Sequence, residues 1–170
     1  MFDLKLGILR TLHEEHVAML GVLERLEALL AANRPNTPPD TSRAETASLL
    51  ADVATALGGD VTHHYEFEET HLFPRFTEFA DPGIPNMLRQ EHEIIRPLAG
   101  RLNALIREAK DSGFSAEAWA EFHATAAEAV EREIFHIQKE EMGFLPALDQ
   151  ILEEDEDGPL QMAYVEIKGG

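Results

Sequence analysis

The chain contains no cysteine. That removes disulfides, thiol catalysis, iron–sulfur clusters and zinc–thiolate sites together. Any metal must then be held by His, Asp or Glu. The chain also lacks an apolar run of roughly 18 residues, the length that spans a bilayer. No membrane segment is expected. The first twenty residues are interrupted by Asp3, Lys5, Arg10, His13, Glu14 and Glu15. They lack the apolar heart of a secretory signal, so a cytoplasmic setting is the expectation. Basic residues are scarce: 14 Lys and Arg stand against 32 Asp and Glu, a net charge of −18. Nucleic acid and anionic lipid both need basic patches, so neither is an expected partner. The acidity reads as a means of staying soluble. Part of it is one run, Glu153, Glu154, Asp155, Glu156 and Asp157, which reads as a solvated helix end.

What is present suits one packed domain. The chain has 170 residues, 44% of them apolar, enough to bury a core. Four helical segments are separated by turn signals. The first runs from about Lys5 to Asn33, with a stripe of Leu9, Leu12, Met19, Leu23, Leu26 and Leu30 at helical spacing. It stops before Pro35. The second runs from Thr41 or Ser42 to Phe79, with a bend possible at Gly58-Gly59 and a break or kink at Pro74. The third runs from Asn86 to Asp111, with Pro97 as an irregularity. The fourth is capped by Ser115 and runs to about Glu154. Four helices with short loops and no strand pattern predict an all-α fold, an up-down-up-down antiparallel four-helix bundle. Residues 1–153 form that domain, and 154–170 read as an acidic tail. Val165 and Ile167 are its candidates for packing on the bundle.

The second half echoes the first. His64-Tyr-Glu-Phe-Glu68-Glu69 leads to Leu72-Phe73-Pro74, and His136-Ile-Gln-Lys-Glu140-Glu141 leads to Phe144-Leu145-Pro146. Glu15-His16 on the first helix matches Glu91-His92 on the third. The pattern reads as two helical hairpins of one design.

His16 falls where the first stripe needs a core residue, and His92 does the same between Leu88 and Ile95. Either alone reads most simply as a satisfied core histidine. In His64…Glu68 and His136…Glu140 the two side chains lie about 40° apart and about 6 Å along the axis. They can reach one ion or two adjacent ones. One such pair is common, but two copies in matched repeats are not. Counting from the helix ends puts all four histidines within roughly two turns of one level in an antiparallel bundle. Two carboxylates and four imidazoles then converge in an apolar core, a costly burial unless cations balance it. Imidazole with carboxylate suits iron, manganese or zinc. Six ligands are too many for one tetrahedral zinc. They suit two ions, with His16, His64, Glu68, His92, His136 and Glu140 as ligands and both glutamates bridging. Iron is the first expectation, with manganese or zinc as alternatives.

These residues resemble the hemerythrin-like family, the HHE cation-binding domain, over about residues 8 to 150. The resemblance rests on Glu15-His16, His64-x-x-x-Glu68-Glu69-x-x-Leu72-Phe73-Pro74, Glu91-His92 and His136-x-x-x-Glu140-Glu141. It implies a bundle around two non-haem iron ions with an oxo or hydroxo bridge, binding O2 or related small molecules. The same six residues carry over as ligands. One position departs from the pattern. Oxygen-carrying hemerythrins place a second histidine on the third helix, four residues after the first. Here that place is Arg96, followed by Pro97. Arg96 is expected to leave one iron more open or to stabilise a bound anion. The departure points away from simple oxygen carriage. It points toward a protein that binds or senses O2, NO or peroxide, or that handles iron.

Other residues offer less. Asp60 and Glu133 are candidates to hold an imidazole N–H from outside the ligand set, and each also reads as a solvated carboxylate. His71 is a gating candidate, or plain packing at the bundle end. Glu69 and Glu141 read as facing solvent or a neighbouring helix. His13 and His63 read as peripheral, His123 as unrelated to the site, and Tyr65 as pointing elsewhere. Four functions compete. The first is a di-iron protein that binds or senses a small molecule. The second is an enzyme acting on peroxide or oxygen species at the same centre. A haem bundle leaves both glutamates unexplained, and a metal-free interaction module leaves all six residues so.

Overall fold

The computed structural model describes residues 3–170. Helices make up nearly all of it, and no strand occurs among the described residues. Helix α1 (Gly7–Ala32) buries Leu9, Leu12, His16, Met19, Leu23, Leu26 and Leu30 along one face. Helix α2 spans residues 44–77, α3 is Gly83–Ser112, and α4 spans residues 116–151. Each of these four packs on two of the others, α1 on α2 and α4, α3 on α2 and α4. Ser115 caps α4 as its position suggests, accepting the Ala118 N–H at 3.1 Å. Pro97 lies exposed within α3, and the helix runs on through it.

Neither α2 nor α4 is a regular α-helix throughout. Both widen into a π-helical turn at the repeated motif, Glu68–Leu72 and Glu140–Phe144. In each, a proline follows one residue after the turn closes. Its ring would clash with the carbonyl four residues back. The preceding N–H instead reaches back five residues, Phe73 to Glu68 and Leu145 to Glu140. So Pro74 does not break α2; it widens it. A third π turn, Ala56–Asp60, holds Gly58 and Gly59, where a bend was foreseen.

The buried apolar residues form two clusters. Leu12, Leu88, Phe67 and Phe144 belong to one; Met19, Ile95, Val61 and Ile137 belong to the other. On α1 and α3, His16 and His92 lie between the two clusters in sequence; on α2 and α4, His64 with Glu68 and His136 with Glu140 fall at the changeover from one cluster to the other, and all six are buried.

The segment expected as a tail is different. A short turn, Glu154–Glu156, leads into a fifth helix, α5 (Asp157–Gly169), packed against α1 and the 61–67 stretch of α2. Pro159 falls in its first turn, where a missing N–H costs nothing. Tyr164 is buried, and Ile167 packs on the apolar cluster, while Val165 faces solvent. The acidic run is also partly engaged. Glu156 takes the Arg75 guanidinium at 2.7 and 3.0 Å. Asp157 accepts the Gly7 and Ile8 N–H groups at 3.0 and 2.8 Å. It thereby supplies, from the far end of the chain, the cap that Leu6 cannot give α1. No helix is long and apolar enough to cross a membrane among the described residues.

Candidate metal centre

Four imidazoles and two carboxylates meet between the two apolar clusters. His16 Nε2 lies 3.1 Å from His64 Nε2, and His92 Nε2 lies 3.1 Å from His136 Nε2. Glu68 offers one oxygen to each pair, Oε1 at 3.3 Å from His64 Nε2 and Oε2 at 3.4 Å from His92 Nε2. Glu140 does the same, Oε2 at 2.9 Å from His16 Nε2 and Oε1 at 2.8 Å from His136 Nε2. Two sets result: His16, His64, Glu68 and Glu140; and His92, His136, Glu68 and Glu140. Within each, the offered atoms lie within 4.8 Å of one another.

The outward ring nitrogens are all occupied. His16 Nδ1 meets Glu141 at 2.5 Å, His64 Nδ1 meets Glu15 at 2.9 Å, His92 Nδ1 meets Glu69 at 2.8 Å and His136 Nδ1 meets Glu91 at 2.8 Å. Each glutamate sits beside a ligand position on one helix and holds the histidine of another. The order closes on itself: α1 holds α2, α2 holds α3, α3 holds α4, and α4 holds α1. A neutral ring that donates from Nδ1 presents a bare Nε2 lone pair inward. The inward nitrogens thus confront carboxylate oxygens that are also acceptors. All four oxygens of Glu68 and Glu140 are buried without a hydrogen-bond partner. Native cores rarely leave such groups orphaned. Acceptors facing acceptors in a dry core call for a cation between them, either a proton or a metal.

Electrostatics agree. Burial pushes the four imidazoles toward the neutral form, but Glu68, Glu140 and the outer glutamates outweigh it. All four hold their protons above the ordinary histidine range, His64 and His136 well above it. Burial likewise pulls Glu140 upward, yet His136, His16 and His92 hold it well below the usual carboxylate range. Glu15 is held at about 2 against its own burial by His64, Lys168 and Tyr164. Protons can balance the charge here, and metal ions can do so in their place by binding the deprotonated rings.

The model of the hemerythrin HHE cation-binding domain matches residues 7–157. No curated protein matches the chain. The chain belongs to the hemerythrin HHE cation-binding family. Every quoted piece of the HHE pattern contributes to the cluster. Glu15, Glu69, Glu91 and Glu141 hold the histidine rings; sequence reading left two of them, Glu69 and Glu141, facing solvent or a neighbouring helix. The doubled Glu-His and Glu-Glu pairs mark them as a repeated set, but not what they meet.

The remaining candidates separate. Arg96 does not point at the cluster. Its guanidinium sits 3.0 Å from Glu69 Oε1 and 5.6 Å from the Tyr65 ring. It acts on the site by fixing the glutamate that holds His92. Glu133 is buried, but it holds no imidazole. It accepts the Tyr65 hydroxyl at 2.5 Å. Tyr65, read as pointing elsewhere, is buried and stacks on His92 with centroids 3.6 Å apart and planes 8° apart. Asp60 is exposed and lines the cavity beside His16 and His64. Burial and the Glu15 charge push its carboxyl upward. His71 is not brought to the cluster; its ring packs on Phe67 at 5.3 Å, beside α5. His13 holds the second oxygen of Glu141 at 2.8 Å. His123 bonds the Leu30 carbonyl, far from the site.

Proposed function

We propose that this chain is an up-down-up-down four-helix bundle holding two non-haem metal ions, iron first, at which a small molecule such as O2, NO or peroxide binds. His16 and His64 would hold one ion and His92 and His136 the other, with Glu68 and Glu140 each offering an oxygen to both. One observation carries this reading: four buried carboxylate oxygens without hydrogen-bond partners, divided evenly between two imidazole pairs. Manganese or zinc satisfies the same donors. A bound iron pair supplies a redox-active centre for small oxygen and nitrogen species. The chain's own residues set what reaches it. A cavity of about 100 Å³, lined by His16, His64, Tyr65, Glu133 and His136, opens on the His16 side. That volume holds a few waters or a diatomic molecule, not a metabolite. Apolar lining from Met19, Val22, Ala56 and Val61 suits an uncharged guest.

A second reading, turnover of peroxide, is favoured by the Tyr65–Glu133 pair on the cavity wall. The phenol is pushed well above its ordinary range by burial and by Glu133, so the pair holds one proton tightly beside the site. The test uses iron-loaded protein. Optical spectra are recorded before and after exposure to O2, NO and hydrogen peroxide. A reversible change with O2 or NO supports binding or sensing. Sustained peroxide loss that falls in Tyr65→Phe supports turnover. Iron bands that respond to none of these would contradict both readings.

A further inference from the structure

Each glutamate that holds a ligand histidine is itself held by a base. Glu69 has Arg96, Glu91 has Lys139, and Glu141 has His13. These three partners all come from α1, α3 and α4. Glu15 is the exception, because both its outer partners come from α5. The Tyr164 hydroxyl donates to Glu15 Oε2 at 2.5 Å, and Lys168 Nζ donates to Oε1. The same Oε2 accepts the His64 Nδ1–H at 2.9 Å. Tyr164 is itself fixed, buried to 3% exposure with its ring 4.6 Å from Phe67. Apart from its first residue, α5 lies beyond the matched stretch, which ends at 157. It packs on α1 and on the 61–67 stretch of α2, the elements that carry Glu15 and His64.

We infer that α5 is a strap that positions one half of the metal site: Tyr164 and Lys168 lock Glu15, Glu15 locks the His64 ring, and the cation held by His16 and His64 binds more tightly for it. The inference rests on the two-metal reading. The physical ground is that the group accepting the outer N–H of a ligand imidazole fixes its tautomer and its aim. Glu15 is also close enough to Asp60 for the two charges to repel. Without Lys168 and Tyr164, the Glu15 carboxylate is free to turn away from Asp60 and from His64. The His92–His136 half owes nothing to α5, since its outer glutamates are held by Arg96 and Lys139. The strap therefore makes the two ions unequal.

Tyr164 and Lys168 are positioning residues, so the test reads metal binding and not activity. Deleting α5 strips the Asp157 cap from α1 and exposes Phe67, so point variants are used. Tyr164→Phe keeps the ring and its stacking. Lys168→Met keeps the aliphatic stem. Metal-free full-length protein is titrated with Co2+ and followed by optical absorption, with circular dichroism to check folding. In a His92→Ala background, which leaves the His16–His64 half intact, the Tyr164→Phe/Lys168→Met pair is expected to weaken Co2+ binding about 10- to 100-fold. Lys168→Arg alone is expected to retain it. In a His16→Ala background the same pair is expected to change affinity less than 2-fold. Equal weakening in both backgrounds, or none in either, overturns the strap while leaving the two-metal reading in place. Unsubstituted protein that takes up no Co2+ at all overturns that reading, and the strap with it.

Discussion

Glu140 serves both halves of the site through its two oxygens, whereas each histidine serves one. Their removal should therefore differ in kind. Glu140→Ala is expected to abolish tight binding of both ions, and His16→Ala to abolish one and leave the other. Metal per chain after equilibration with one metal and gel filtration separates the two outcomes. Tyr65 and Glu133 give a prediction about stability. In Tyr65→Phe the Glu133 carboxyl loses the one hydrogen-bond partner it has among the described residues. Leaving a buried polar group unmade costs roughly 1–3 kcal/mol. Urea unfolding of the metal-free protein should show that loss as a lower midpoint at unchanged slope. The six central residues were legible because each replaced an apolar residue in a stripe, or paired at helical spacing in a repeat. The outer carboxylates were not. Glu15 and Glu91 sit one residue off the stripe, where a glutamate ordinarily meets water. Only the positions of the neighbouring helices reveal that they meet a histidine instead. Tyr65 failed for the same reason, since its place beside His64 gave no hint that it stacks on His92 across the bundle.

At the scale of the elements, the two prolines, the start of α1 and the C-terminal helix matter most. Pro74 was legible as a disturbance, but not in kind, and Pro146 only as its counterpart in the repeat. A proline that follows a π turn preserves the helix, so the repeated motif carries its own widening in the turn that begins at each buried glutamate. The start of α1 was legible to within two residues, but what caps it was not. Its capping groups, Asp149 for Lys5 and Leu6 and Asp157 for Gly7 and Ile8, lie more than 140 residues away in sequence. The consequence is measurable. Asp157→Ala should cost about 1 kcal/mol, the usual loss for a helix N-cap. Burial raises the Asp157 carboxyl, but the Ile8 and Gly7 N–H groups and Gln161 outweigh it, so its pKa lies below the ordinary value of 3.8. A carboxyl with a depressed folded pKa stabilises above its unfolded pKa and loses that contribution as pH falls through the folded one. The stability gap between the unsubstituted protein and Asp157→Ala should be full near neutrality and close as pH drops below about 4. Chemical unfolding at a series of pH values reads it. A gap that does not narrow as pH falls below that point would contradict the cap. The C-terminal helix was missed because Gly158-Pro159 and five consecutive acids look like a chain leaving its fold. Tyr164, buried between Phe67 and Glu15, is what returns it.

The whole molecule is a helical fold with a charged layer through its middle. Two apolar clusters flank that layer, and neither can relax into it without leaving carboxylates buried and uncompensated. Metal ions that bind the native layer and not the unfolded chain must stabilise the fold by mass action. Chelation at neutral pH should therefore lower the melting temperature by several degrees or more, reversibly on adding metal, as differential scanning calorimetry can show. An unchanged transition would mean that protons alone suffice for the layer. The central claim is the two-ion site, and elemental analysis of protein produced with ample iron tests it most directly. Two metal ions per chain, falling to about one in His16→Ala and to none in Glu140→Ala, is the result expected here. Metal-free protein whose His64→Ala and Glu140→Ala variants take up added iron as well as the unsubstituted chain would contradict it.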